Sequence, residues 1–119
     1  MPHSEKRRLL KYLNDAFLAT NDLIDLKLSN AQQLSDNYLK WIIERGIEII
    51  SEALKRASVL KPDLQITDLQ KIFATRNKIA HEYDLIDITQ LYIIVNKHLP
   101  ILTKELCLLI ETLENDDSN

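Results

Sequence analysis

The sequence has very few of the residues that build tight turns or cross-links. Its 119 residues include one glycine, three prolines and one cysteine. β-Rich folds need many turns with glycine or proline, so this scarcity argues against them. The single cysteine, Cys107, excludes a disulfide within the chain and a multi-cysteine zinc site, which fits a reducing compartment. Because Cys107 lies in an apolar helical stretch, we expect its side chain in the core.

The sequence also lacks long apolar runs and an excess of positive charge. No segment approaches the ~20 apolar residues of a membrane span, and the charged residues 5–8 do not precede the apolar run of a secretory signal. We therefore expect a cytoplasmic protein without membrane association. The formal net charge is −3. RNA binding would consequently need a local basic patch rather than a generally basic surface.

The residues that are abundant favour helices. Hydrophobic residues make up 45% of the chain, enough for a core in one domain over residues 1–119. Leu, Ile, Lys, Glu and Ala dominate, and these residues suit helices. The apolar spacing predicts an all-α fold of four or five helices.

The first half of the chain predicts two long helices. The first is expected over residues 4–26, with Ser4 as a possible cap. The second is expected over residues 31–57, opened by a capping box of Asn30 and Gln33. Its apolar residues form a broad face, which indicates burial against several partners. We expect Trp41 in the core, as we do Phe73 farther along; base stacking is the less favoured alternative for both.

The second half predicts shorter helices. A capping box of Thr67 and Gln70 predicts a third helix from about residue 68 to 83. Asp87 or Thr89 is expected to open the next helix. Pro100 then interrupts the pattern, because proline lacks an N–H group and clashes with the preceding turn. The last segment is therefore either one kinked helix or two helices that meet near Leu99.

The third helix breaks its own apolar pattern. Leu69, Ile72 and Phe73 form a stripe whose next helical position is Arg76. A buried guanidinium is costly unless it is paired, so Arg76 needs a carboxylate, a phosphate or another subunit as its partner. His81 lies about 140° around the helix axis from Arg76. We expect the two side chains to line opposite edges of one groove.

Asn77 completes this polar cluster. It lies between Arg76 and His81 around the helix, where its amide is placed to orient the imidazole or a bound phosphate. Spacing alone leaves an ordinary interpretation open, in which Arg76 is an exposed or paired surface residue and His81 is structural. The cluster is nonetheless the most unusual feature of the sequence.

Three segments together resemble one family. Residues 76–83 read RNKIAHEY and resemble the R-x4-H-x-Y motif of HepT-type HEPN toxins. Residues 44–53 read ERGIEIISEA and resemble the family's RNLEIIGEA stretch, while residues 99–102 resemble its LPxL. Two positions depart from the family pattern: Gly46 stands where asparagine is usual, and Ser51 where glycine is usual. We expect these departures to affect helix packing, with Gly46 permitting close approach of another helix or a ligand.

The resemblance implies a fold, an activity and partners. Such proteins are four- or five-helix antiparallel bundles that form homodimers, with two motif copies facing each other in one composite cleft. They are metal-independent endoribonucleases that use no cofactor, and they are the toxins of type VII HepT/MNT-like toxin–antitoxin systems. The partner is an MNT-type nucleotidyltransferase antitoxin, which transfers AMP to the motif tyrosine, here Tyr83.

The resemblance and the residues together predict a mechanism. The ribose 2′-OH attacks the adjacent phosphate while His81 acts as general base or acid. Arg76 stabilises the transition-state charge, and Asn77 positions His81 or the phosphate. AMP on Tyr83 would block the cleft by bulk and charge. Candidate contacts to the RNA backbone are Lys71, Lys78, Arg45 and Lys97.

Two alternatives keep the helices but not the chemistry. HEPN domains also serve as noncatalytic nucleotide-binding or interaction modules beside a nucleotidyltransferase. The intact Arg76, His81 and Tyr83 favour the active form, whereas the acidic net charge favours the module. A plain helical dimerisation or scaffold protein is the third interpretation, and it leaves Arg76 on an apolar stripe without an explanation.

Overall fold

The computed structural model describes residues 1–81 and 86–116. All regular structure in these ranges is helical, which confirms the predicted all-α class. A short 3-10 helix covers Ala31–Ser35, and a π-helical turn covers Ile94–His98. The α-helices are α1 (His3–Ile24), α2 (Asn37–Leu60), α3 (Leu69–His81), α4 (Ile88–Ile93) and α5 (Leu99–Asn115). None of the helices in the described ranges is long and apolar enough to cross a membrane.

The core is built on the pairing of α1 with α2, and α5 packs against α1. Gly46 permits the close approach of the first two helices. A Cβ atom added to Gly46 would lie 2.8 Å from both Cδ atoms of Leu23, a buried residue of α1. The expected close approach at Gly46 is therefore to another helix. The other departure from the family pattern, Ser51, is buried with its hydroxyl unpartnered.

The helix starts differ from two predictions. The capping box of Asn30 and Gln33 is present, but it opens the 3-10 helix. α2 begins six residues later than expected, at Asn37, where the carboxylate of Asp36 accepts a hydrogen bond from the Leu39 N–H at 3.0 Å. In α1, Ser4 lies inside the helix rather than at its cap, because the first turn starts from the carbonyl of Pro2.

The start of α3 is held by tertiary contacts rather than by the predicted capping box. The Thr67 backbone N–H and hydroxyl donate to the carboxylate of Glu105 on α5, at 3.1 and 2.7 Å. Gln70 therefore does not receive the Thr67 N–H. The prediction of a capping box was wrong because a carboxylate distant in sequence provides a stronger acceptor.

Pro100 is accommodated by the π-helical turn. Asp87 caps α4 as predicted, accepting from the Thr89 N–H at 2.9 Å. The Leu99 N–H then donates to the carbonyl of Ile94, five residues earlier. This wider turn relieves the clash between the proline ring and the preceding carbonyls. The backbone is helical without a gap from Ile88 to Asn115, so of the two predicted alternatives the structure has one helical segment, interrupted by the π-helical turn, rather than two helices that meet near Leu99.

Two side chains expected in the core are exposed. Trp41 is 57% exposed and stacks on the ring of Tyr38, which is 71% exposed, with 6.2 Å between the ring centroids. Both lie on the outer side of α2, opposite its buried isoleucines. Cys107 is also exposed, because it lies one residue, or about 100°, from the buried stripe of α5. Phe73 is partly buried, near the expected position.

Candidate active site on the third helix

α3 carries polar side chains on both flanks of a narrow buried stripe. Ile72 and Ile79 are its buried residues, and the helix packs against α2. Arg76 is half-buried on one flank, whereas Asn77 and His81 are exposed on the other. The sequence predicted this angular separation, since five residues correspond to about 140° around a helix.

Arg76 lies at a groove formed with α1 and α2. The groove has a volume of about 600 Å³ and also contains Arg45. Its apolar lining includes Leu18 and Ile49, both largely exposed in a single chain. Asn77 and His81 are not among its lining residues, so the structure does not bring them together with Arg76 in this groove.

The charges of this α1–α2 groove are balanced. Four basic side chains face four acidic ones: Lys11, Arg45, Arg56 and Arg76 against Asp15, Asp22, Glu48 and Glu52. Two pairs form salt bridges, Lys11 with Asp15 and Arg56 with Glu52, both at 2.9 Å. The groove is therefore not the basic patch that an RNA strand alone would need.

The side chains of the motif have no partners in the described ranges. Arg76, Asn77, Lys78 and His81 make no hydrogen bond or ion pair there with residues 1–81 or 86–116. Tyr83, the last residue of the motif, lies outside the described residues. Arg76 is thus half-buried, and the carboxylate that the sequence analysis named as one possible partner is not found among the described residues.

The candidate RNA contacts fall in different places. Lys71 and Lys78 line a second cavity, of about 350 Å³, between α3 and α4. Arg45 lies in the α1–α2 groove. Lys97 is exposed on the π-helical turn and lines neither cavity. The structure thus places two of the four lysine and arginine candidates side by side.

One residue pair near the site was missed by sequence reasoning. His98 is 6% exposed, and its Nδ1 lies 2.8 Å from Oδ2 of Asp68, the residue just before α3. The two residues are 30 positions apart, so no local pattern links them. The available signal was the position of His98 on an apolar stripe with Ile94 and Leu102.

Two groups near the groove have shifted pKa values. Burial raises the pKa of the Glu44 carboxyl above its usual value, opposed by Lys40 and assisted by Glu48. A hydrogen bond with Arg8 is the main cause that lowers the pKa of Tyr12. Within residues 1–81 and 86–116, no three His, Cys, Asp or Glu side chains are arranged to hold a metal ion.

Comparison with known families gives one match. The family model described as "Ribonuclease HepT-like" matches residues 13–109, which is most of the chain. The chain belongs to the HepT-like ribonuclease family. The matched span contains α2, α3 and the residues of the R-x4-H-x-Y motif, so the resemblance drawn from the sequence is confirmed. Searches of curated proteins and of solved structures found no match.

Proposed function

We propose that this HepT-like protein is a metal-independent endoribonuclease whose active site is shared by two copies of the chain. The observation that carries the proposal is the placement of Arg76 and His81. Both lack partners among the described residues, yet they lie on different flanks of α3. Membership of a ribonuclease family makes RNA the expected ligand for these groups.

The helix geometry favours a site built from two chains. Arg76 and His81 are separated by about 140° around α3 and about 7.5 Å along it. One helix cannot readily direct both side chains at the same phosphate. In a two-fold dimer, Arg76 of one chain and His81 of the other can meet across the interface.

The outer surface of α1 and α2 supports a dimer interface. Trp41 and Ile49 on α2 and Leu18 on α1 are 57%, 42% and 62% exposed. Large exposed apolar side chains of this kind mark interaction surfaces when they cluster. The balanced charges of the groove suit a second copy of the same surface, because an isologous interface must be self-complementary.

The residues support cleavage through the ribose 2′-OH. His81, as base, takes the 2′-OH proton, and the resulting oxygen attacks the adjacent phosphorus. The bond from phosphorus to the 5′-oxygen of the next nucleotide then breaks, and an acid protonates that oxygen. Arg76 stabilises the charge on the phosphate oxygens, and Asn77 positions the imidazole or the phosphate. Water supplies that proton and recovers it from the His81 imidazolium, so each site needs one Arg76 and one His81.

The basic residues outside the motif hold the RNA backbone. Lys71 and Lys78 extend the outer face of α3 away from His81, and Lys97 lies on the neighbouring π-helical turn. Arg45 would act beside Arg76 at the dimer interface. Such contacts add affinity without sequence preference.

The regulatory part of the proposal rests on the family motif. A nucleotidyltransferase antitoxin of the MNT type would transfer AMP to Tyr83, making the protein the toxin of a type VII toxin–antitoxin pair. The added phosphate would repel RNA next to Arg76 and His81. Mass spectrometry of the protein co-expressed with such a partner should show one AMP per chain, and Tyr83→Phe should abolish it.

Mixing of two inactive variants tests the shared site. Arg76→Ala and His81→Ala should each be inactive on RNA. When the two are unfolded together and refolded, mixed dimers should recover roughly a quarter of the wild-type activity, because half of the dimers are mixed and half of their sites are intact. No recovery, with mixed dimers verified by mass, would contradict a site shared between chains.

Retained binding without cleavage would favour the other function. If dimeric protein free of AMP binds RNA or nucleotides but never cleaves RNA, the protein is a noncatalytic module that partners a nucleotidyltransferase. The observation that favours this noncatalytic function is the balanced charge of the groove that contains Arg76.

A further inference from the structure

The cavity between α3 and α4 differs from the α1–α2 groove in its charge. It measures about 350 Å³, and no acidic side chain lines it among residues 1–81 and 86–116. Lys71 and Lys78 come from α3, and neither forms an ion pair within the described ranges. The two lysines are seven residues apart, about 10.5 Å along the helix. Two unpaired ammonium groups at one opening favour an anionic ligand such as a phosphate.

The opposite wall of this cavity is apolar. Ile93 and Ile94 line it from α4 and the π-helical turn, and Ala74 lines it from α3. Ile93 remains 40% exposed, so a ligand can cover it. An apolar surface of this size with a few polar groups is typical of small-molecule sites. The ligand is therefore a phosphate attached to a flat or apolar group.

Two polar side chains complete the lining. Gln90 is exposed at the cavity, and its carboxamide can both donate and accept hydrogen bonds, as glutamine does towards adenine. His98 is 6% exposed, and its buried Nε2 has no hydrogen-bond partner among the residues that the structure describes. A buried nitrogen without a partner is destabilising, and its presence in a folded protein needs an explanation such as an absent ligand. The buried Nε2 therefore indicates a ligand independently of the two lysines.

We propose that this cavity binds one nucleotide. Its phosphate contacts Lys71 and Lys78, its base packs on Ile93, and Gln90 hydrogen-bonds the edge of the base. The Asp68 carboxylate holds the His98 ring in place through Nδ1, and the unpartnered Nε2 becomes available to the bound base when the lining adjusts around it.

The position of the cavity assigns this nucleotide to the substrate strand, a step that rests on the proposed ribonuclease function. Lys78 lies three residues before His81, about 60° away on the same outward flank of α3. A nucleotide held at Lys78 is thus a neighbour of the one whose phosphate reacts at His81. The cavity would set which base is preferred beside the cleavage position. A free nucleotide has the same chemistry and is the alternative source.

Binding of single nucleotides tests the site without any cleavage. The full-length protein is titrated with AMP, GMP, CMP, UMP and inorganic phosphate while amide NMR signals are followed. At least one nucleotide should shift Thr75, Gln90 and Ile93 saturably and bind more tightly than phosphate. Lys71→Ala and Lys78→Ala should each weaken its binding about tenfold. Lys104→Ala, on the exposed side of α5, is the matched control and should have no effect.

Gln90→Leu separates base recognition from phosphate binding. It should weaken the preferred nucleotide severalfold and leave inorganic phosphate unaffected, whereas Gln70→Leu, outside the cavity, should change neither. Equal binding of all five probes that Gln90→Leu does not change would overturn the proposal. The absence of saturable shifts in the NMR signals would also overturn it.

Mapping of cleavage products distinguishes the two sources. A changed base preference next to the cut in Gln90→Leu supports a nucleotide of the RNA strand, whereas an unchanged pattern with lost nucleotide binding supports a free nucleotide. Nucleotide binding by a protein that cleaves no RNA would contradict the ribonuclease function and still support this site.

Discussion

The two ends of α3 are held in opposite ways. At its start, Thr67 and Asp68 are joined to Glu105 and His98 by hydrogen bonds of 2.7–3.1 Å. At its far end, Arg76 and His81 have no partner in the ranges that the structure describes. The chain therefore satisfies the polar groups that fix the helix and leaves the motif groups for a ligand or a second subunit. We call these the anchored end and the free end.

Removal of Asp68 should have the largest effect on stability. Asp68→Ala leaves the buried His98 without its only hydrogen-bond partner among the described residues, and we expect a loss of about 2–3 kcal/mol in the free energy of unfolding. Urea denaturation measures this change. Asp63→Ala is the control: it removes the ion pair of Asp63 with Lys61, whose atoms are 3.4 Å apart, and should cost at most about 0.5 kcal/mol. Equal costs for the two variants would show that the anchored end is not held by this pair.

Removal of Glu105 should have the next largest effect. Glu105→Ala takes the acceptor away from the Thr67 N–H and hydroxyl, and the expected loss is about 1–2 kcal/mol. Hydrogen exchange should then rise first in the initial turn of α3. The exposed Glu111→Ala on the same helix serves as the control. Unchanged hydrogen exchange in α3 would show that Glu105 does not hold the start of this helix.

Glu44 extends the comparison to a carboxyl group on α2 whose pKa is shifted by burial. Burial raises its folded-state pKa above the usual value of 4.5, so the folded state holds the proton more tightly than the unfolded state does. Its contribution to stability is therefore greatest at pH values below 4.5 and falls as the pH rises through the folded pKa. Glu44→Gln should stabilise the protein at pH 7 by less than about 1 kcal/mol and have no effect at low pH. Thermal melts at both pH values check this, and an equal effect at both would contradict it.

Substitution at the free end should have the smallest effect on stability. His81 is exposed without partners among the described residues, so His81→Ala should change the free energy of unfolding by at most about 0.5 kcal/mol. The same urea titration that measures Asp68→Ala provides the value. A loss of 2 kcal/mol or more would mean that His81 is structural.

The sequence predicted the free end better than the anchored end. Helical periodicity is local, so the exceptional place of Arg76 and its angle to His81 followed from spacing alone. The family motif then suggested the chemistry that is proposed for these residues. The anchored end depends on Glu105 and His98, which lie 38 and 30 residues from their partners. No local pattern reports such contacts, and a capping box was predicted in their place.

The prediction of buried side chains was wrong where a helix has two apolar sides. Tyr38, Trp41 and Ile49 follow helical spacing as well as the buried residues of α2 do, yet they lie on its outer side. Periodicity shows that a stripe is apolar without showing whether the same chain or a second copy covers it. In this protein the distinction bears directly on the proposed dimer.

RNA cleavage in EDTA tests the central claim most directly. Purified wild-type protein, confirmed free of AMP on Tyr83 and of any partner, is compared with Arg76→Ala and His81→Ala. We expect wild type alone to cleave and to leave 2′,3′-cyclic phosphate ends, with the variants slower by at least about 100-fold. Intact RNA with the wild type, or equal cleavage by folded His81→Ala, would contradict the assignment of the free end of α3 as the active site.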